Sequence, residues 1–216
     1  MNKTQVWFFL CIFTLFSCGQ EVQVSQTDKV IEAEKAATIS EVPDQKSTQL
    51  QNYIDTRFEY TLVNGNGLIV ENSLPKSKVL YVDPDGNQYA YAIFWTRITN
   101  KGNDPVRLSI EFPTAAFALP SGSDNYMHLL LPADTMSIEK ASQMDYGFSV
   151  APFLDAHRTD AFTLDRTIDP FVTTTFYVVT LSTRGINGTL RTGLTVSGTK
   201  LFYRVNEIEL PCGEIR

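Results

Sequence analysis

The chain has 216 residues, 18 Lys and Arg against 24 Asp and Glu, and a formal net charge of −6 at pH 7. This acidic balance, with no basic run interleaved with aromatics, argues against nucleic acid as a partner. Three cysteines and two histidines leave little material for a disulfide framework or a histidine-based metal site.

The chain opens on a basic stretch, Met1-Asn2-Lys3, followed by an apolar run from Val6 to Phe16 that only Cys11 and Thr14 interrupt. At ~1.5 Å rise per residue this run covers roughly half of a ~30 Å hydrocarbon core, and no second long apolar run follows. It therefore reads as a secretory signal rather than a spanning helix. The run ends in Leu15-Phe16-Ser17-Cys18-Gly19, which resembles the lipobox of bacterial lipoproteins. The resemblance implies cleavage before Cys18, a diacylglyceryl group on its thiol and acylation of the new amino group. Residues 1–17 would then be the signal peptide and the membrane would be the first partner, held through lipid. Each buried CH₂ contributes ~0.8 kcal/mol, so two or three acyl chains hold a protein durably where one does not. Gly19 is not the aspartate that retains some lipoproteins in the inner membrane. The expected place is thus the cell envelope at the outer membrane, with the periplasmic face and the cell surface both open.

Without Lys3 the formal balance becomes −7, from 17 basic and 24 acidic residues, and Cys212 is the one thiol that is neither removed nor lipidated. No internal disulfide is open to such a chain, so its stability must come from a core. From Gly19 to about Gln49 the sequence is rich in Gln, Glu, Ser, Thr, Lys and Ala, with no aromatic between Phe16 and Tyr53. Such a segment buries too little apolar area to offset its ordering entropy. Residues 18–50 are expected to be a tether reaching roughly 30 Å, by ~5–6 Å × √n. A short helix over 27–38 would present only Val30, Ala33 and Ala37, a thin stripe.

From Tyr53 the pattern has period two. Phe58, Tyr60 and Leu62 alternate with Arg57, Glu59 and Thr61, and Val106, Leu108, Ile110 and Phe112 alternate with Arg107, Ser109 and Glu111; each reads as a strand with one wet face. Tyr89–Ile98 and Phe171–Leu181 are apolar on both faces, as central strands are. Asp83-Pro84-Asp85-Gly86 is hairpin chemistry, and Asn64–Gly67, Asn100–Asn103, Gly185–Gly188 and Ser197-Gly198 also read as turns. Strands near 171–183, 189–196 and 200–205 are expected to form a meander. The stretches 113–120 and 132–152 read as long connections, the latter with a short helix or irregular strand near Thr135–Gln143. Residues 51–216 are thus expected to fold as one all-β domain, an antiparallel β-sandwich of eight to ten strands, immunoglobulin-like, with a closed β-barrel as the alternative.

Little in this domain carries chemistry. Ser73-Leu74-Pro75-Lys76, Ser123-Asp124-Asn125 and Arg191-Thr192-Gly193 look like the three triplets of penicillin-binding proteins and serine β-lactamases, in which the Ser is acylated and the Lys activates it. That nucleophile opens a long helix, whereas here Pro75 and Val79-Leu80-Tyr81-Val82 run into a turn, so no catalytic residue is assigned. Asp83-x-Asp85-Gly86-Asn87 resembles the start of a calcium loop but lacks its closing glutamate, and no His-x-His or Glu-x-x-His spacing offers a metal site. No metal and no cofactor are expected. Asp155, His157, Arg158 and Asp160 stand together in a polar stretch that reads as a candidate binding loop. His128 reads as a half-exposed packing residue, and Cys212 as an inert thiol with no nearby base. Asp134-Thr135-Met136 resembles a bacterial O-glycosylation acceptor, with Thr135 as the modified residue. Exposed Tyr and Trp, Trp95 included, could form a carbohydrate- or peptide-binding platform, but most of the aromatics, such as Tyr60, Tyr89, Tyr91 and Tyr177, fall on apolar phases and read as core.

The function expected from all this is a lipid-anchored envelope protein with a non-enzymatic binding or assembly module, its partner an envelope protein or a glycan. The alternative is an envelope hydrolase or carbohydrate-active enzyme that pairs carboxylates among Asp145, Asp155, Asp160, Asp165 and Asp169.

Overall fold

The computed structural model describes residues 50–76, 80–120, 124–186 and 188–216. The expected signal peptide, Cys18 and the tether up to residue 49 lie outside the described residues. Leu50, at the last tether position, is buried.

Twelve strands and one helix follow in chain order: β1 (Ile54–Thr61), β2 (Gly67–Ser73), β3 (Leu80–Val82), β4 (Gln88–Asn100), β5 (Val106–Glu111), β6 (Phe117–Ala118), β7 (Tyr126–Leu130), α1 (Val150–His157), β8 (Thr163–Ile168), β9 (Thr173–Ser182), β10 (Thr192–Ser197), β11 (Lys200–Val205) and β12 (Ile208–Ile215). They form two antiparallel sheets. The first runs β1-β2-β4-β9-β7-β6, with β3 also pairing with β4; the second runs β10-β11-β12-β5-β8. The fold is an antiparallel β-sandwich.

The two doubly apolar runs become β4 and β9, paired from Ala90↔Ser182 to Thr99↔Thr173 in the middle of the first sheet. Their inner face, with Phe94, Ile98, Phe176 and Val178, packs on Leu108, Ile110, Leu194, Leu201 and Val205 of the second sheet. Their outer face, with Ile93, Trp95, Tyr177 and Val179, packs on Met136, Tyr146, Phe148, Val150 and Leu154. A third layer therefore covers the sandwich on one side. It consists of two 3₁₀ turns, Ile138–Lys140 and Met144–Gly147, and helix α1.

Several expectations need correction. The short helix expected near Thr135–Gln143 is the 3₁₀ turn Ile138–Lys140, but the stretch 132–152 packs as this cap rather than only connecting strands. Pro152 conceals helix α1, although proline is tolerated in a helix's first turn. The expected meander has the wrong first member. β9 belongs to the first sheet, and the meander is β10-β11-β12. β12 went unread because Pro211 and Gly213 interrupt its pattern, the register slipping between Leu201 and Phe202 of its partner. The second central strand begins at Thr173 rather than Phe171.

Phe171 sits instead in a turn closed by Val172 N donating to Asp169 O at 3.1 Å. It has φ of 62° and is 66 % exposed. A left-handed bulky residue costs about 1–2 kcal/mol, which glycine avoids at some cost in chain entropy. Phe171→Gly is expected to stabilise the fold by up to about 1 kcal/mol in urea unfolding. A loss of stability would show that the ring contributes packing.

Side chains join the two sheets at both margins. Asn72 on β2 accepts from Leu194 N (2.9 Å) and Thr96 Oγ1 (3.0 Å), and donates through Nδ2 to Leu194 O (3.2 Å) and Thr56 Oγ1 (3.1 Å). The amide thus acts as a ladder rung between β2 and β10. At the other margin Arg166 on β8 donates to Thr174 Oγ1 (2.9 Å) and Thr175 O (3.2 Å).

Candidate functional site

The polar stretch near residue 157 is not a loop. Asp155 and His157 lie on α1, and Arg158 caps its end. Two of the four residues fasten the helix to the β3–β4 hairpin. Asp155 Oδ1 accepts from Tyr81 OH at 2.7 Å, and burial together with this carboxylate pushes the Tyr81 hydroxyl up to about 12. Arg158 Nη2 lies 3.2 Å from Asp85 Oδ2 and 3.6 Å from Asp83 Oδ2. The other two pair with each other, His157 Nδ1 and Asp160 Oδ2 being 2.8 Å apart. The His157 ring also stacks near Phe153. All four therefore have partners within the fold.

The hairpin turn accounts for Asp83 without a cation. Its carboxylate accepts from the backbone N–H of Asp85 (3.0 Å) and Asn87 (2.8 Å) and from Asn87 Nδ2 (3.1 Å). Burial pushes this carboxyl up, but the Asn87 donors, Arg158 and the Asp85 N–H outweigh it and hold it below the ordinary value. Gly86 supplies the φ of 87° that the turn needs. Among the described residues no group of three His, Cys, Asp or Glu could hold a metal ion.

Two of the three triplets also turn out to be structural. Ser73 is buried, its Oγ accepting from Trp95 N at 2.9 Å. Lys76 Nζ donates to Ala141 O (2.5 Å) and Gln143 O (2.7 Å) and lies over the rings of Tyr53 (4.5 Å) and Tyr146 (4.4 Å). Burial lowers its pKa, against the field of Asp145. Lys76 thus ties the cap to the sheet. Thr192 Oγ1 bonds Tyr203 OH at 2.8 Å. A Cβ on Gly193 would meet Asn72 Nδ2 at 2.7 Å, so glycine there makes room for the Asn72 rung. Ser123 lies outside the described residues.

The five carboxylates considered for hydrolysis differ in their surroundings. Asp145 Oδ2 accepts from Tyr91 OH at 3.2 Å beneath the cap. Asp155 and Asp160 are engaged as above, and Asp165 and Asp169 are exposed on β8 and in the turn after it. None of the five lines the clefts described for this molecule. Thr135 is exposed, its Oγ1 accepting from Arg166 Nη2 at 3.4 Å. Cys212 is buried, and burial pushes its thiol up to about 12.

His128 is half-buried on β7. Burial lowers its pKa below the ordinary 6.5, against a Thr114 backbone bond that raises it. The unfolded chain therefore binds this proton more readily than the folded one. The resulting loss of stability sets in as pH falls through 6.5 and levels off below the folded pKa. A urea-midpoint profile should show this fall, and His128→Gln should remove that component of it.

One of the clefts lies beside the β3–β4 hairpin. This cleft of about 330 Å³ is lined by Pro75, Leu80, Ala90, Tyr91, Ala92, Thr180 and Ser182, with Ile186 and Leu190 among its walls. Its floor is inner-face surface of the first sheet, where small Ala90 and Ala92 replace the bulky residues found farther along β4. Both floor hydroxyls are turned to backbone carbonyls: Thr180 Oγ1 to Ala92 O (3.2 Å), and Ser182 Oγ to Ala90 O (3.3 Å) and Arg184 O (2.7 Å). The cleft thus presents mainly apolar surface. Beside its wall at Pro75, Tyr53 O accepts from Leu74 N at 2.8 Å. In sequence Gly185–Gly188 reads only as a turn; the alternation of Ala with Tyr in Tyr89-Ala90-Tyr91-Ala92 is the available signal. Among the described residues no helix is long and apolar enough to cross a membrane. Comparison with protein-family models, curated proteins and solved structures finds no match.

Proposed function

We propose that the chain is a lipid-anchored protein of the bacterial cell envelope whose sandwich is a binding module, with the apolar cleft as its ligand site. The observation that carries the anchoring is the Leu15-Phe16-Ser17-Cys18 run behind a basic and apolar leader. Acylated Cys18 holds the protein on the membrane, and Gly19 favours the outer membrane. A cleft in the range of about 300–1,000 Å³ with apolar walls is the ordinary form of a site for an apolar group. The ligand is an envelope component that presents such a group.

Cys18→Ala is expected to move the protein from the membrane pellet to the soluble fraction; retention in the pellet would contradict lipid anchoring. The cleft is tested with 1-anilinonaphthalene-8-sulfonate. Its fluorescence should rise on the native protein and fall at least fivefold in Ile186→Arg with an unchanged melting temperature. An equal signal from both proteins would remove the cleft as the site.

A further inference from the structure

We infer that β3 and the cleft together receive one extended peptide strand, whose backbone pairs with the open edge of β3 while its alternate apolar side chains lie against Leu80, Val82 and the cleft mouth. This rests on the cleft being the ligand site and names the ligand's class.

The edge follows from the register. Asp83 N donates to Asn87 O at 2.9 Å, and Tyr81 stands opposite Tyr89. Backbone groups in an antiparallel pair alternate in direction, so those of Tyr81 face β4 while the N–H and C=O of Leu80 and Val82 face outward. Among the described residues β3 pairs with β4 alone. Natural edges are blunted by lysine, proline, inward charge or shortness; β3 spans only the three residues Leu80-Tyr81-Val82, and these carry no lysine, proline or charge. Leu80 and Val82 are 60 % and 53 % exposed, while Tyr81 between them is buried under α1. Leu80, Ala90 and Ser182 share one face by register, so the outward edge borders the cleft directly.

These features select the occupant. A hydrocarbon chain cannot bond a row of outward N–H and C=O groups, and a sugar's hydroxyls can bond them but lack the strand's alternating donor–acceptor spacing, which another strand matches in register; the apolar face asks for apolar residues at positions i and i+2 of that strand. A second copy would join two chains of net charge −6 through three residues each, which fits the edge less well.

The test selects random linear octapeptides, displayed on phage, against the full chain carrying Cys18→Ala. Enriched peptides should carry apolar residues two apart. A synthetic peptide methylated at its β3-facing backbone nitrogens should bind at least tenfold more weakly. Val82→Pro, which removes an outward N–H but no bond to β4, should weaken the unmodified peptide at least tenfold, while Val63→Lys at the β1–β2 turn should leave it unchanged. Absence of enrichment, indifference to methylation and to Val82→Pro, or a concentration-dependent dimer abolished by Val82→Pro would each overturn the proposal. If the naphthalene probe still reports the cleft and no peptide is selected, the cleft stands as ligand site and the strand proposal alone fails.

Discussion

Asn72→Ala is expected to lower the unfolding free energy by about 3–5 kcal/mol, among the largest losses for a polar residue in this protein. Asn72 is 1 % exposed, and its amide has partners at all four of its bonds, two on Leu194 of the opposite sheet and one each on Thr56 and Thr96. Removing it leaves the Leu194 N–H and C=O buried without those bonds, and each such group costs about 1–3 kcal/mol. The loss should show as a lower urea midpoint with an unchanged slope. Asn72→Asp should not rescue, because a carboxylate cannot donate to Leu194 O. Gly193→Ala should act at the same place, since its Cβ would press on Asn72. The double variant should then lose less than the sum of the two single variants. Full additivity would mean that the rung does not join the sheets as described.

Tyr146→Ala is expected to cost about 3–5 kcal/mol and to detach the cap. Tyr146 is fully buried. Its ring meets Tyr53 and Trp95 edge-on at 6.1 and 6.3 Å and lies beneath Lys76 Nζ, and its hydroxyl donates to Leu74 O at 2.7 Å. Its own carbonyl accepts from Tyr177 OH at 2.8 Å. Asp145 and Tyr146 both hold left-handed φ values of 50° and 52°. That backbone strain persists because these contacts over-determine it. Limited proteolysis of the variant should open within 134–149 while the two sheets resist. Tyr146→Phe keeps the ring and loses one hydrogen bond, so about 1 kcal/mol is expected. If Tyr146→Ala unfolded with the wild-type midpoint and an intact cap, Tyr146 would not be its anchor.

The sandwich was legible because strand alternation is a local signal. Val106 to Phe112 lays every second residue into one core, and the doubly apolar runs at 89–98 and 173–181 are central strands whose two faces meet two different layers. The cap was not legible, because its residues lack a period of their own. Met136, Tyr146 and Phe148 are held by contacts to β4 and β9 rather than by local propensity. The same limit applied to the site. Asp155 and Arg158 look like a solvated pair in sequence, yet their partners, Tyr81 and Asp85, lie more than seventy residues earlier. The cleft depends on Ile186 and Leu190 standing across from Ala90, Ala92 and Ser182, which no single segment encodes. Glycine at 193 reads as part of a triplet until Asn72 is seen beside it.

The anchoring claim is met most directly by the intact mass of the protein isolated from the membranes of a lipoprotein-processing bacterium. The predicted result is a chain that begins at Cys18 and carries the added mass of a diacylglyceryl group, with or without one further acyl chain. A membrane-derived chain that retains residues 1–17, or that begins elsewhere and carries no lipid mass, would contradict it.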